Sequence, residues 1–334
     1  MRSSKAMSFK HLLEQKMYGE DLAYVALIVN DVAEAARVWE KDFGLRRSEH
    51  RVTGGTSSVP VFSVGRSALA LFAQGDPYVG GETRTGVHHI ALAVDALELA
   101  VKTVKERGLH GETDRFEDSL DGKRRFLLSR EATNGVKTWL TDPIDRPFGD
   151  AGFINRIDHL GVVGTDNNLS LETYCKRLGC RFLGEQTDTE MQINVEHFVY
   201  KDRNGKVNTV VHNRPAQFIA AVHDLFIGVG DCELEIIQTL PTQAQERASG
   251  NQAGDTRQDH GAVARFLETR GPGLHHIAFH VNEIDECLER LSKAGHRLID
   301  QRGRPGARGS RIGFIHPKST AGVLTHLVDR QETL

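Results

Sequence analysis

Two stretches of this chain, GVHHIALAVDALELAVKTVKERGL from Gly86 and GLHHIAFHVNEIDECLERLSKAGH from Gly273, repeat one another at an offset of 187 residues. At the same offset GVKTWLTD, from Gly135, falls on GVLTHLVD, from Gly322, so Gly86 to Asp142 lies on Gly273 to Asp329 without a gap. A second correspondence places LAYVALIVNDVAEAARVWEKDFGLR on IDHLGVVGTDNNLSLETYCKRLGCR, with Tyr24 on His159 and Gly44 on Gly179. The chain is therefore read as four similar units in two halves, and any fold assigned to it must repeat in that way.

Each unit opens with an apolar run of strand character, such as YVALIV or HHIALAV. A polar turn and a helically spaced stretch follow, for example Leu97, Val101 and Val104, and a glycine closes it in each unit: Gly44, Gly108, Gly179 and Gly295. Further short apolar runs separated by Gly and Asp complete a strand, helix, three-strand (βαβββ) pattern, an α+β class. The expected organisation is an N-terminal extension over 1–20, a first domain over 21–150 and a second over 151–330.

Composition narrows the function classes. With 26% charged residues, 39% apolar residues and a net charge of -3, nothing favours nucleic acid or an anionic membrane as partner. Cys175, Cys180, Cys232 and Cys287 show no C-x-x-C spacing, and the first 20 residues lack the apolar centre of a signal peptide. A reduced, cytoplasmic protein without membrane spans is expected. Homodimer formation is compatible with all of this.

The tandem βαβββ units, with HHIA opening one strand and IHPKSTAGVLTHLVD closing the chain's second half, resemble the vicinal oxygen chelate (glyoxalase/dioxygenase) superfamily over roughly residues 20 to 330. The stretch from GPGLHHIAFHV to RIGFIHPKSTAGVLTHLVD is most similar to methylmalonyl-CoA epimerases. That resemblance implies two glyoxalase-like domains, each able to enclose a metal site with one ligand from each of four strands. In the second half the four positions are His159, Glu235, His276 and His326; in the first they are Tyr24, Ala70, His89 and Trp139. Only the second set is complete, so the first half is expected to be degenerate and metal-free. Imidazoles with one carboxylate suit Zn, which is favoured, or Mn, Co, Ni or Fe, at one divalent ion per chain. His275 is read as structural, facing away from His276 by strand alternation.

His326 departs from the family, whose usual residue at that place is Glu; in methylmalonyl-CoA epimerases that Glu is thought to act as ligand and base together. Proton abstraction then falls to Glu235 or to Asp224. If Gly230-Asp231 forms a two-residue turn, Phe226 lies opposite Glu235 and Asp224 shares its face. Glu233 has the same parity as Glu235 and is a weaker candidate.

The spacing between the first two ligand positions is 76 residues in the second half against 46 in the first. The extra segment, near residues 190–217, carries Asn204-Gly205 between alternating runs and reads as a hairpin, either a flap over the cavity or a surface element. The loop holding Arg302, Arg304, Arg308, Arg311 and Lys318 offers an anion site, but its Gly and Pro punctuation favours a solvated connection.

The resemblance implies an isomerase that inverts a carbon beside a ketone through an enolate. Its tandem layout is similar to that of 2-epi-5-epi-valiolone epimerases of C7-cyclitol antibiotic biosynthesis, whose substrate is a polyhydroxylated cyclic ketone. The alternatives are an Fe(II) dioxygenase related to 4-hydroxyphenylpyruvate dioxygenase, a methylmalonyl-CoA epimerase-like enzyme, and a metal-free binding protein. Fold alone does not choose among them.

Overall fold

The computed structural model describes residues 18–52, 58–145, 152–188, 191–201, 206–219, 221–240 and 262–330, with the backbone alone described over 191–201 and 210–219. In the first half, β1 (Leu22–Val29), β2 (Arg46–Arg51), β3 (Ser58–Val64), β4 (Ser67–Ala73), β5 (Gly86–Ala93), β6 (Glu117–Asp118), β7 (Arg124–Leu127) and β8 (Thr138–Thr141) build one sheet. Its order is β2-β3-β4-β1-β5-β8-β7-β6. The second half contributes β9 (Ile154–Gly164), β10 (Arg181–Asp188), β11 (Met191–Lys201), β12 (Val207–Ile219), β13 (Val222–Val229), β14 (Cys232–Thr239), β15 (Gly273–Val281), β16 (Arg304–Pro305), β17 (Arg311–Ile315) and β18 (Thr325–Asp329). Its main sheet runs β10-β13-β14-β9-β15-β18-β17-β16, the first order again once β11 and β12 are set aside. The four units are thus strand, helix and three strands, and the fold is two glyoxalase-like domains.

Register confirms the repeat residue by residue. Ala26 pairs with Ala70 in the first sheet, as Gly161 pairs with Glu235 in the second. Ala91 pairs with Trp139, as Ala278 pairs with His326. Ala26 pairs with His89 across the centre, as Gly161 pairs with His276.

The helices are α1 (Val32–Arg37), α2 (Leu97–Glu106), α3 (Asn167–Ser170), α4 (Ala262–Arg270) and α5 (Ile284–Lys293). Asp31 and its counterpart Asp166 cap α1 and α3, accepting from the backbone N–H of Glu34 at 2.9 Å and Leu169 at 3.0 Å. α5 buries Ile284, Cys287, Leu288 and Leu291, one stripe at helical spacing.

The sequence pattern did not reveal that α1 and α3 continue into wider π-helical turns, Val38–Asp42 and Leu171–Arg177. These turns carry Trp39 and Tyr174 across the molecule. Trp39 packs edge-on to Phe279 of β15 at 5.5 Å, and the Tyr174 hydroxyl lies 3.1 Å from that of Thr138 on β8. Each of these turns therefore reaches the other half's sheet. One hydrophobic core runs through this middle layer, including Leu27, Leu92, Leu160 and Ile277 from the four central strands.

β11 and β12 pair antiparallel as a separate two-stranded sheet; the Asn204-Gly205 turn expected to join them lies outside the described residues, as do residues 1–17 of the N-terminal extension. The four cysteines are free. No described helix is long and apolar enough to cross a membrane.

Candidate metal centre

The faces of the sheets turned away from the shared core differ. In the first half Tyr24, Ala26, Ala70, Phe72, Tyr78, Ala91 and Trp139 fill the space with a second apolar cluster. The Tyr24 hydroxyl is hydrogen-bonded to that of Tyr78 at 2.6 Å. The Arg125 guanidinium lies 3.7 Å from the Tyr78 ring centre and 3.9 Å from that of Trp139. His89 is wholly buried among these groups, and burial drives its pKa well below the usual histidine value.

In the second half the corresponding positions converge on a polar spot. The nitrogens of His159, His276 and His326 that face one another all lie within 4.8 Å, and all three side chains are buried. His159 Nε2 is 3.4 Å from His276 Nε2, and the His326 ring centre is 4.9 Å and 4.8 Å from those of His159 and His276. Glu235 places Oε2 3.1 Å from His159 Nε2 and 3.9 Å from His276 Nε2. Neither ring nitrogen of His326 has a hydrogen-bond partner, although both are buried. Such orphaned nitrogens are costly unless something binds them. Three imidazoles edged by one carboxylate are a donor set that suits a divalent transition ion.

Electrostatics agree with that chemistry at His276 and His326, whereas His159 would have to give up a proton to an arriving ion. Burial holds His276 and His326 well below the ordinary histidine pKa, hence neutral. Burial also pushes His159 down, but Glu235 and Asp158 more than offset it and lift the group to about 10. Burial favours the neutral form of Glu235, and the facing His159 reverses this and lowers its pKa.

Strand order explains why these four meet. β14, β9, β15 and β18 are consecutive neighbours, so one residue from each reaches a common point on one face. Gly161 is required there: a Cβ at that position would overlap the His276 ring. Phe314 closes one side, its ring centre 4.4 Å from that of His326 and 6.0 Å from that of His276.

The Gly230-Asp231 turn forms as read, with Val229 paired to Cys232 and Phe226 opposite Glu235. Asp224 lies on the same face, 6% exposed, with Oδ1 lacking a partner. Burial and the nearby Glu235 push its carboxyl up to about 8. Glu233 is occupied by Arg308 and by Arg330, the latter at 3.0 Å.

Two expectations need correction. His275 does not follow simple alternation, because a bulge between Leu274 and His276 shifts the register. Its Nδ1 lies 3.1 Å from His276 Nδ1, and its ring packs edge-on to Phe266 of α4 at 4.8 Å. The arginine loop is not simply solvated. Arg304 and Arg311 are buried, while Arg308 pairs with Glu233 and lies 4.0 Å from the Phe226 ring centre, at the rim of the site. Arg302 and Lys318 are exposed as expected.

Asp158 was not found by sequence reasoning. It accepts from His159 Nδ1 at 2.8 Å and is held by Arg330 at 3.0 Å and Arg156 at 3.4 Å. Its adjacency to His159 is the one signal the sequence offered.

The chain matches two family models of the glyoxalase/bleomycin resistance protein/dioxygenase superfamily, over residues 21–139 and 158–314. It is 30% identical over 176 residues to the uncharacterized protein YqjC of Bacillus subtilis, covering 53% of this chain and 93% of that one. It is 40% identical over 68 residues to an ethylmalonyl-CoA/methylmalonyl-CoA epimerase of Cereibacter sphaeroides, covering 20% of this chain and 50% of the epimerase. A variant of 4-hydroxymandelate synthase from Streptomyces coelicolor superposes over 95% of this chain and 94% of its own with a TM-score of 0.60; at 14% identity the likeness is one of fold. Both halves, matched separately and repeated strand for strand, belong to the glyoxalase/bleomycin resistance protein/dioxygenase superfamily, in which this chain is a tandem member.

Proposed function

We propose that this protein is a metal-dependent isomerase that moves a proton at the carbon beside a ketone. His159, Glu235, His276 and His326 would hold one divalent ion, with Zn favoured by the donor set. The observation that carries this reading is the convergence of three buried imidazoles, one with both nitrogens unpartnered. A bound divalent ion would polarise the ketone and stabilise the negative charge that builds on its oxygen.

Proton removal falls to the chain's own residues. Asp224 sits on the face of Glu235, is shielded from water and has an oxygen without a partner, so its ionised form, which gains population as pH rises toward about 8, is the group assigned to take the proton. Inversion then needs a proton returned to the other face of the substrate; Glu235, on the adjoining strand, is held ionised by His159 and has none to give, so water would supply it. Arg308 keeps Glu233 engaged and out of this role.

The substrate we assign is a polyhydroxylated cyclic ketone, with conversion of 2-epi-5-epi-valiolone to 5-epi-valiolone as the specific reaction. The support is the cluster of His159, His276 and His326 in the second half, edged by Glu235, together with His326 at the position where the resemblance leads one to expect Glu. The test is incubation with this ketone in deuterated water under monitored oxygen. Deuterium entry beside the carbonyl without oxygen uptake is expected. Oxygen consumption coupled to turnover would instead identify a dioxygenase, and exchange with methylmalonyl-CoA alone would overturn the substrate assignment.

A further inference from the structure

A second cavity, of about 420 Å³, lies where the two halves meet and is separate from the four converging side chains. Its walls come from residues 79–88, 130–137 and 266–274. Its floor is a close seam: a Cβ on Gly135 would overlap Pro272, and one on Gly273 would lie 3.3 Å from the Gly135 carbonyl oxygen.

Charge in this cavity is unbalanced. Among the described lining residues Arg84, Arg130, Lys137 and Arg270 are cationic and Glu82 is the single acid. Glu82 is already bound by Arg84, with Nη2 to Oε2 at 3.2 Å. Arg130, Lys137 and Arg270 remain in excess. The Lys137 ammonium donates to His88 Nε2 at 3.2 Å, and burial with the Lys137 charge nearby holds His88 down to about 3, so this acceptor carries no charge. Burial and the Arg130 charge lower the Lys137 pKa itself, which marks positive charge gathered against its own repulsion.

The repeat provides an internal control. By the offset of 187, Arg130 and Lys137 correspond to Pro317 and Leu324. The equivalent seam exists, since a Cβ on Gly322 would overlap Thr85, yet it lacks these two charges. Packing of the halves therefore does not require them.

We infer that this cavity binds a phosphate monoester of sugar size, with Arg130, Lys137 and Arg270 holding the phosphate. Two guanidinium groups and an ammonium match a dianionic, three-oxygen head, and the volume leaves room for an attached polyol. The site does not depend on the metal assignment, because none of its residues belongs to that cluster.

The test uses the full chain at constant ionic strength, with calorimetric and phosphorus NMR titrations of glucose 6-phosphate, inorganic phosphate, glucose and malonate. Saturable binding of glucose 6-phosphate, about tenfold or more tighter than malonate or glucose, is expected, with inorganic phosphate between. Arg130→Gln combined with Arg270→Gln should weaken it about tenfold or more, and both positions are exposed enough for the variant to fold. Lys137→Met provides an independent arm with the same expected loss. No saturable binding of glucose 6-phosphate, equal binding of malonate, or unchanged affinity in both variants would overturn the proposal.

Discussion

His159 is held from behind by Asp158: Nδ1 lies 2.8 Å from Oδ1, which leaves Nε2 to face Glu235 at 3.1 Å. Burial alone would raise the Asp158 carboxyl, but the hydrogen bond and charge of His159, and after them Arg330 and Arg156, bring it down to about 2. Ala23 stands at the corresponding position of the first half. A carboxylate behind a histidine fixes which nitrogen carries the proton and strengthens the other as a donor. Asp158→Asn should therefore lower divalent-metal affinity by about 10- to 100-fold. Competition with a fluorescent chelator measures this, and unchanged affinity would remove Asp158 from the site.

Gly161 tests the geometry without altering a donor. Its missing Cβ leaves the space occupied by the His276 ring, and its first-half counterpart is Ala26. Gly161→Ala should displace that ring and reduce metal content while the protein stays folded, since the backbone there is ordinary strand. Metal analysis beside circular dichroism would decide, and full metal content would show that the ring has another place to go.

Much of this was legible because a repeat carries its own alignment. Once Tyr24 fell on His159 and Gly86 on Gly273, the four ligand positions of each half could be listed, and the pairings of Gly161 with Glu235 and Ala278 with His326 put those of the second half on neighbouring strands. What stayed hidden depends on departures from regular periods. The bulge at His275 and the π-helical turns after α1 and α3 change direction without a composition signal. Arg308 and Glu233 meet across 75 residues of chain, a pairing no local pattern encodes.

The first half should be structural. Trp139 is 3% exposed and lies under Arg125, in the place His326 takes in the second half. Trp139→Ala should cost about 3–5 kcal/mol of stability by opening a cavity, with metal stoichiometry unchanged. Urea unfolding and metal analysis test both parts. A loss of metal would mean that the first half takes part in binding.

His88 gives a pH dependence with a definite sign. Its pKa in the folded protein is lowered to about 3, chiefly by burial and then by Lys137. A depressed histidine contributes stability that is present above its unfolded pKa, about 6.5, and is lost as pH falls from there toward 3. His88→Gln cannot take up the proton, so between pH 7 and pH 5 the variant should lose less stability than the parent protein, by at most about 2 kcal/mol. Paired urea titrations in phosphate-free buffer measure this difference. Equal losses would place the acid sensitivity elsewhere.

His326 and Asp224 separate metal holding from proton transfer. Both are buried with side-chain atoms lacking partners, but they sit differently: His326 is among the three clustered imidazoles, whereas Asp224 lies beyond Glu235 on β13. His326→Ala should weaken metal binding and, with it, deuterium exchange. Asp224→Asn should keep the metal and slow exchange by about 100-fold or more, the usual contribution of a positioned base. Measuring metal content and exchange rate on both variants assigns each role from two independent readings. Normal metal affinity in the first variant would reduce the donor set to His159, Glu235 and His276. Normal exchange in the second would leave Glu235 as the acid to test next, by Glu235→Gln with metal content followed alongside.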